Sequence, residues 1–280
     1  MHHLRINQRQ AAPAGQRGQA AVLVLVIFLT ASAALTAVGT TSHTDSAGRT
    51  QMITGQINAT LGELTLWYER TGFASLGTST PNESALRGML SMRHPSLRMA
   101  ISTPIVRSGC TGVMDCEPSR QILVWYPATN PQPTANLVNG LPMYEIGGDA
   151  LWRLYDARAL TQQRMATGYQ QMLAAGRAIT AWASAQRQAS VMSTEVNFLR
   201  SSACSNSGPA LPCVDTWSPM TSIAQAMAAS GLSVLDVTAP WGAVVEISNA
   251  SGVASQVLPY SLAMRLRTPS GAYLTYSTGQ

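Results

Sequence analysis

The sequence predicts an α+β protein. A long N-terminal helix crosses a membrane with its first half and packs on antiparallel sheets, arranged as two helix-plus-sheet modules in tandem. Three observations predict this. Ala20 to Gly39, AAVLVLVIFLTASAALTAVG, contains neither charge nor proline, and a helix of that length spans roughly 30 Å, the hydrocarbon thickness of a bilayer. Two later stretches, from Gln56 and from Asp149, repeat apolar residues at helical spacing. The segments RQILVWYP and SLAMRLRT alternate as strands do.

The leader, residues 1–18, carries Arg5, Arg9 and Arg17 and no acid. Arginines on one side of a span hold that side in the cytoplasm, so the chain beyond residue 40 is expected outside the inner membrane. The span itself, residues 19–40, admits three readings: an uncleaved signal anchor, a secretory signal cut near Ala31-Ser32-Ala33, or a helix kept after a cut at the cytoplasmic face.

In the first module, residues 41–130, Ile57, Leu61, Leu64 and Trp67–Tyr68 share one helix face, and Gly72 is the expected helix end. A short helix over 85–92 and a strand over 97–106 follow. RQILVWYP is the strongest strand signal in the chain. Residues 131–148 belong to a Pro/Asn/Gly-rich connector. In the second module, residues 149–280, a long helix runs from Asp149, a suitable cap, to Ala189. Gly168 and Gly176 each cost it about 1 kcal/mol relative to Ala, which makes Gly168 a candidate kink. A helix over 218–230 and strands at 243–248, 256–258, 261–267 and 272–276 complete the module. Each module places a tryptophan late in its helix, Trp67 and Trp182.

Composition excludes more than it assigns. All eighteen basic residues are arginines. Without lysine there is no Walker A loop, no pyridoxal Schiff base and no lysine-dependent serine acyltransferase. The arginines beyond the membrane are scattered singly, so no nucleic-acid partner is predicted. Cys110, Cys116, Cys204 and Cys213 form two close pairs. Three connectivities are open, and the local one, 110–116 with 204–213, has the shortest loops; each bridge would contribute about 2–3 kcal/mol. No further Cys or His lies at ligand spacing to complete a four-ligand metal site. There is no G-x-S-x-G elbow and no H-E-x-x-H pair. His94 between Arg93 and Pro95 reads as a solvated loop residue, and Glu145 with Asp149 as a helix start. No catalytic residue and no cofactor are predicted.

The order of basic leader, Gln16-Arg17-Gly18 and unbroken apolar helix resembles the type IV pilin-like proteins. The resemblance implies a cut between Gly18 and Gln19 by a prepilin peptidase. It departs from the family at Gln19, where an aromatic or Met is usual, and at Leu23, where a Glu is usual; the missing acid points to a minor subunit. A second similarity lies in Ala239-Pro240-Trp241-Gly242, close to the Asp-Pro-Trp-Gly turn of many pilin heads. There Pro240 sets the turn, Gly242 permits an unusual backbone angle and Trp241 covers the sheet edge.

The resemblance implies a non-enzymatic minor pilin or pseudopilin of a type IV pilus, a type II secretion apparatus or a conjugative pilus. Its partners would be other pilin-like subunits, met through the N-terminal helix in the inner membrane. There the small residues Ala31, Ser32, Ala33, Ala34 and Gly39 allow close approach. The head would be periplasmic or carried on a pilus. The alternative is a single-pass, membrane-anchored extracytoplasmic binding protein with no filament role; an exported hydrolase is a third reading.

Overall fold

The computed structural model describes residues 44–280 except 78, 92–93, 128–131, 139–140, 191–195, 202–203, 205–209, 251 and 280. The chain divides into two units, residues 1–50 and 51–280. Of the first, only the opening turns of a helix are described. The second is α+β with antiparallel sheets.

Helix α1, Thr44–Trp67, runs into a π-helical turn, Tyr68–Gly72, and a last α turn, Phe73–Ser75. It therefore passes Gly72 without stopping. Ile53, Ile57, Thr60, Leu64 and Tyr68 are its buried stripe, at steps of three and four residues that keep one face inward. In the π turn the Phe73 amide donates to Tyr68 O. The extra residue carries Tyr68, Gly72 and Phe73 all onto the buried side.

Helix α2, Glu83–Gly88, is capped by Asn82, whose Oδ1 accepts the Ala85 amide at 2.9 Å. Strands β1 (Arg98–Ile101), β2 (Gln121–Tyr126) and β5 (Leu151–Asp156) form the first sheet, in the order β1-β2-β5. Helix α3, Val113–Cys116, lies between β1 and β2. One face of β2, Ile122 and Val124, joins the main core. The other, Leu123 and Trp125, packs with Ile146 and Tyr144 of a hairpin, β3 (Pro133–Val138) with β4 (Leu141–Ile146). With both faces covered, β2 is a continuous apolar run.

Helix α4, Arg158–Ala189, is unbroken, and its buried stripe is Thr161, Met165, Gly168, Met172, Ala175, Gly176, Ile179 and Ala183. That stripe lies on the second sheet, β6 (Ser218–Pro219), β7 (Glu246–Ser248), β8 (Ser261–Arg267) and β9 (Tyr273–Gly279), in the order β6-β7-β8-β9. Helix α5, Ala224–Ser230, ends on Gly231 at φ 65°.

Several expectations are corrected here. The fold is not a membrane helix on two tandem pilin-like modules. Among the described residues no helix is long and apolar enough to cross a membrane, and the segment expected to do so, 19–40, lies outside them. Nor does each expected module have a core of its own: Leu64 of α1, Val124 of the first sheet, Met172 of α4 and Met264 of the second share one cluster, and the smaller cluster of Leu123, Trp125 and Ile146 lies between the first sheet and the hairpin. Within the expected connector, residues 133–146 are a hairpin. The segment expected to open the long helix at Asp149 is strand β5, and α4 begins nine residues later; Glu145 sits on β4. The 97–106 strand shortens to β1 with an isolated bridge from Ile105 to Ser119. The 218–230 helix opens instead as a strand and a 3-10 turn, Met220–Ser222. Residues 256–258 make bends, with no ladder partner.

Candidate functional site

A groove of about 650 Å³ lies among the described residues. Four segments build it. The chain after β1 supplies Ile105 and Arg107, and α3 supplies Met114 and Asp115. The hairpin supplies Val138 and Met143, and the entry to α4 supplies Asp156 and Arg158. Three of these segments are each fixed by a local device. The Cys110–Cys116 bridge, Cα to Cα 5.3 Å, closes the loop that carries α3. Gln121, 1% exposed, reaches out of β2 to hold the hairpin: its Oε1 accepts the Tyr144 amide at 2.9 Å, and its Nε2 donates to Pro142 O at 3.1 Å. At the start of α4, Asp156 accepts the Arg158 amide through Oδ1 (3.1 Å) and its Nε through Oδ2 (2.7 Å).

The groove thus has an apolar floor of Ile105, Met114 and Met143, flanked by charges of both signs. Arg107 and Asp115 are exposed on its rim, and the Asp156–Arg158 pair closes one side. Glu117 lines it too, but its carboxylate is engaged by Ser270, through the amide and the hydroxyl, both at 2.8 Å. Adaptable methionines beside mixed charge suit an extended polypeptide better than a rigid small molecule. Among the described residues no group of three or more His, Cys, Asp or Glu is placed to hold a metal.

Behind the groove, a polar cluster ties α1 to the rest of the unit. Arg120, 3% exposed, donates to Ser102 O (2.7 Å), Gly77 O (2.8 Å) and Ser79 O (2.7 Å). Burial holds its pKa below the ordinary arginine value. Burial likewise pushes the Tyr68 phenol up to about 12, against the opposing pull of Arg120 and Arg164. The Tyr155 hydroxyl donates to Glu69 at 3.1 Å, and its pKa is raised by burial and then by that carboxylate. Arg164 donates to Glu69 O and lies 4.8 Å above the Phe73 ring.

The residues singled out by sequence fall in different places. Gly18, Gln19, Ala31, Ser32, Ala33, Ala34 and Gly39 lie outside the described residues, as does His43. Cys110 is bridged to Cys116, and Cys204 to Cys213 with Cα atoms 4.6 Å apart; only the first bridge borders the groove. Pro240, Trp241 and Gly242 form a turn in which Gly242 stands at φ 87° and its amide donates to Ala239 O at 2.8 Å. Trp241 covers α4 at Gly168, packs on Phe73 with ring centroids 6.4 Å apart, and donates Nε1–H to Arg267 O at 2.8 Å. It is an internal packing residue, remote in role from the groove. His94 contributes its carbonyl, which accepts from Arg87 at 3.2 Å. The groove itself was not foreseen: its lining comes from segments up to about fifty residues apart, and no motif marks it.

No protein-family model, curated protein or solved structure matches this chain significantly.

Proposed function

We propose that this chain is a non-enzymatic assembly subunit of the minor-pilin or pseudopilin type. Its folded part lies on the extracytoplasmic side, and its N-terminal apolar segment tethers it at the inner membrane. The extracytoplasmic side follows from two disulfides, which persist in oxidising compartments. The observation that carries the subunit reading is the arrangement at the front of the chain. The leader with Gln16-Arg17-Gly18, the apolar run Ala20–Gly39 and helix α1 follow one another in sequence, and the C-terminal part of α1 is a core element of the folded unit.

The test is mass spectrometry of the mature N-terminus, taken from the membrane fraction of cells that express a prepilin peptidase. The expected mature protein begins at Gln19 and carries an N-methyl group. A start at Met1 or Ala34 overturns the reading.

The groove favours a second reading, an extracytoplasmic binding protein without a filament role, because its mixed-charge rim and apolar floor suit a peptide segment. A mature protein that begins at Met1 and captures extended peptides through Arg107 and Asp115 selects that reading instead.

A further inference from the structure

The two disulfides have unlike surroundings. Arg200 lies against Cys204–Cys213: its Nε is 3.3 Å from Cys213 Sγ and its Nη2 3.8 Å from Cys204 Sγ. The guanidinium cannot swing away. Its Nη1 donates to Asn249 O at 3.2 Å and its Nη2 to Asp215 Oδ1 at 3.1 Å. Asn197 Oδ1 accepts the amides of Leu199 and Arg200, at 2.9 and 3.1 Å, fixing the turn that presents the arginine. Asn249 is fully buried; it accepts the Val214 amide at 2.7 Å and donates to Leu199 O (2.7 Å) and Pro212 O (2.9 Å), holding the segments on both sides of the bridge. Among the described residues, no arginine donates to either sulfur of Cys110–Cys116.

The two sulfurs also differ in access. Cys204 is exposed, whereas Cys213 is half-buried. A thiolate beside a guanidinium is stabilised, and a thiol of lower pKa leaves faster in exchange. The Ser201 carbonyl, 3.0 Å from Cys213 Sγ, is a neutral acceptor set against that full charge. Asp215 is 72% exposed, so its offsetting charge is screened by water.

We propose that Cys204–Cys213 is a redox-active bridge, a site of exchange with an extracytoplasmic protein dithiol, and that Cys204 is the atom attacked. The dithiol's thiolate bonds to Cys204 Sγ as the Cys204–Cys213 bond breaks, and the electron pair leaves on Cys213 Sγ beside Arg200. The second thiolate of the partner then attacks its own sulfur in the mixed disulfide and releases Cys204. The bridge gains two electrons and the partner becomes a disulfide. Each released thiolate takes a proton according to its pKa. Cys110–Cys116 stays closed as a structural staple.

The experiment treats the full chain with glutathione at neutral pH, traps it with acid and alkylation, and maps each cysteine by mass spectrometry. Cys204–Cys213 is expected to open about tenfold faster than Cys110–Cys116. The first glutathione adduct should sit on Cys204, with Cys213 free. Arg200→Gln should lose most of that advantage with far-UV circular dichroism unchanged. Should Arg200→Gln fold poorly, the wild-type chain still decides: the freed Cys213 thiol, titrated by its alkylation rate, should ionise below the ordinary thiol value of about 8.5. Equal opening rates, a first adduct on Cys213, an undiminished rate in Arg200→Gln, or a Cys213 thiol at or above the ordinary value would each overturn the proposal.

Discussion

Single positions decide how closely α4 approaches the second sheet. A Cβ at Gly168 would stand 2.4 Å from Cη2 of Trp241, and one at Gly176 would stand 2.6 Å from Cε1 of Tyr276. In the sequence the two glycines look like weaknesses of a long helix. In the structure they are where the rings of Trp241, from the Pro240–Gly242 turn, and Tyr276, from β9, rest, and the helix passes both without a break. Trp241 cannot yield, because its indole N–H is pinned to Arg267 O and its ring to Phe73. Gly168→Ala should therefore destabilise the fold by up to about 2 kcal/mol: overpacking costs about 1–3 kcal/mol, towards the upper end for a ring that cannot move, and the gain in helix propensity returns about 1. Gly62 of α1, with open space where its Cβ would be, is the counterpart, and Gly62→Ala should stabilise by about 0.5–1 kcal/mol. Urea denaturation of the two variants checks both signs; a neutral Gly168→Ala would mean that the ring contact is not close.

At the scale of elements, the β3–β4 hairpin depends on one side chain from a neighbouring strand. Gln121→Ala removes its hydrogen bonds to the Tyr144 amide, the Pro142 carbonyl and Met143 Sδ, at a cost of about 1–3 kcal/mol. Limited proteolysis should then nick residues 133–146 well before the rest of the chain; a cleavage pattern like the wild type's would show that the hairpin is held by Ile146 and Tyr144 alone. This element also marks where the sequence was hard to read. Strand β2 and the body of α4 were legible, because their apolar patterns are long and unambiguous. Strand β5, LWRLYD, was absorbed into the helix that follows it. Leu151, Trp152, Leu154 and Tyr155 satisfy either period over six residues, and only pairing with β2 decides. The hairpin had a usable signal, Asn139-Gly140 between Val138 and Leu141, overridden by the prolines around it. The groove had none, since it exists only once four segments meet.

At the scale of the molecule, residues 51–280 form one unit around a main core with a smaller cluster beneath the hairpin, and ionisable groups inside it set the pH range in which it holds. Tyr68 and Tyr155 are both kept neutral by burial. A phenol whose folded pKa lies above its unfolded value of about 10 contributes stability that is fully present below pH 10. That contribution is lost as pH rises through the folded value, about 12 for Tyr68. The melting temperature should thus fall steadily above pH 10, and Tyr68→Phe should flatten the fall. Scanning calorimetry from pH 9 to 11.5 checks this, and an equal slope in the variant would assign the loss to other groups.

The π turn and the residues gripping it have a mechanical consequence. Tension applied to the backbone at residue 51 travels along α1 and reaches Ile53, Ile57, Leu64 and Tyr68, all anchored in the interior, then Glu69, which is gripped by Tyr155 and Arg164. Because the load runs parallel to the helix axis, these attachments are sheared together and not unzipped one after another. A tug on the chain at residue 51 is borne by all of these attachments at once.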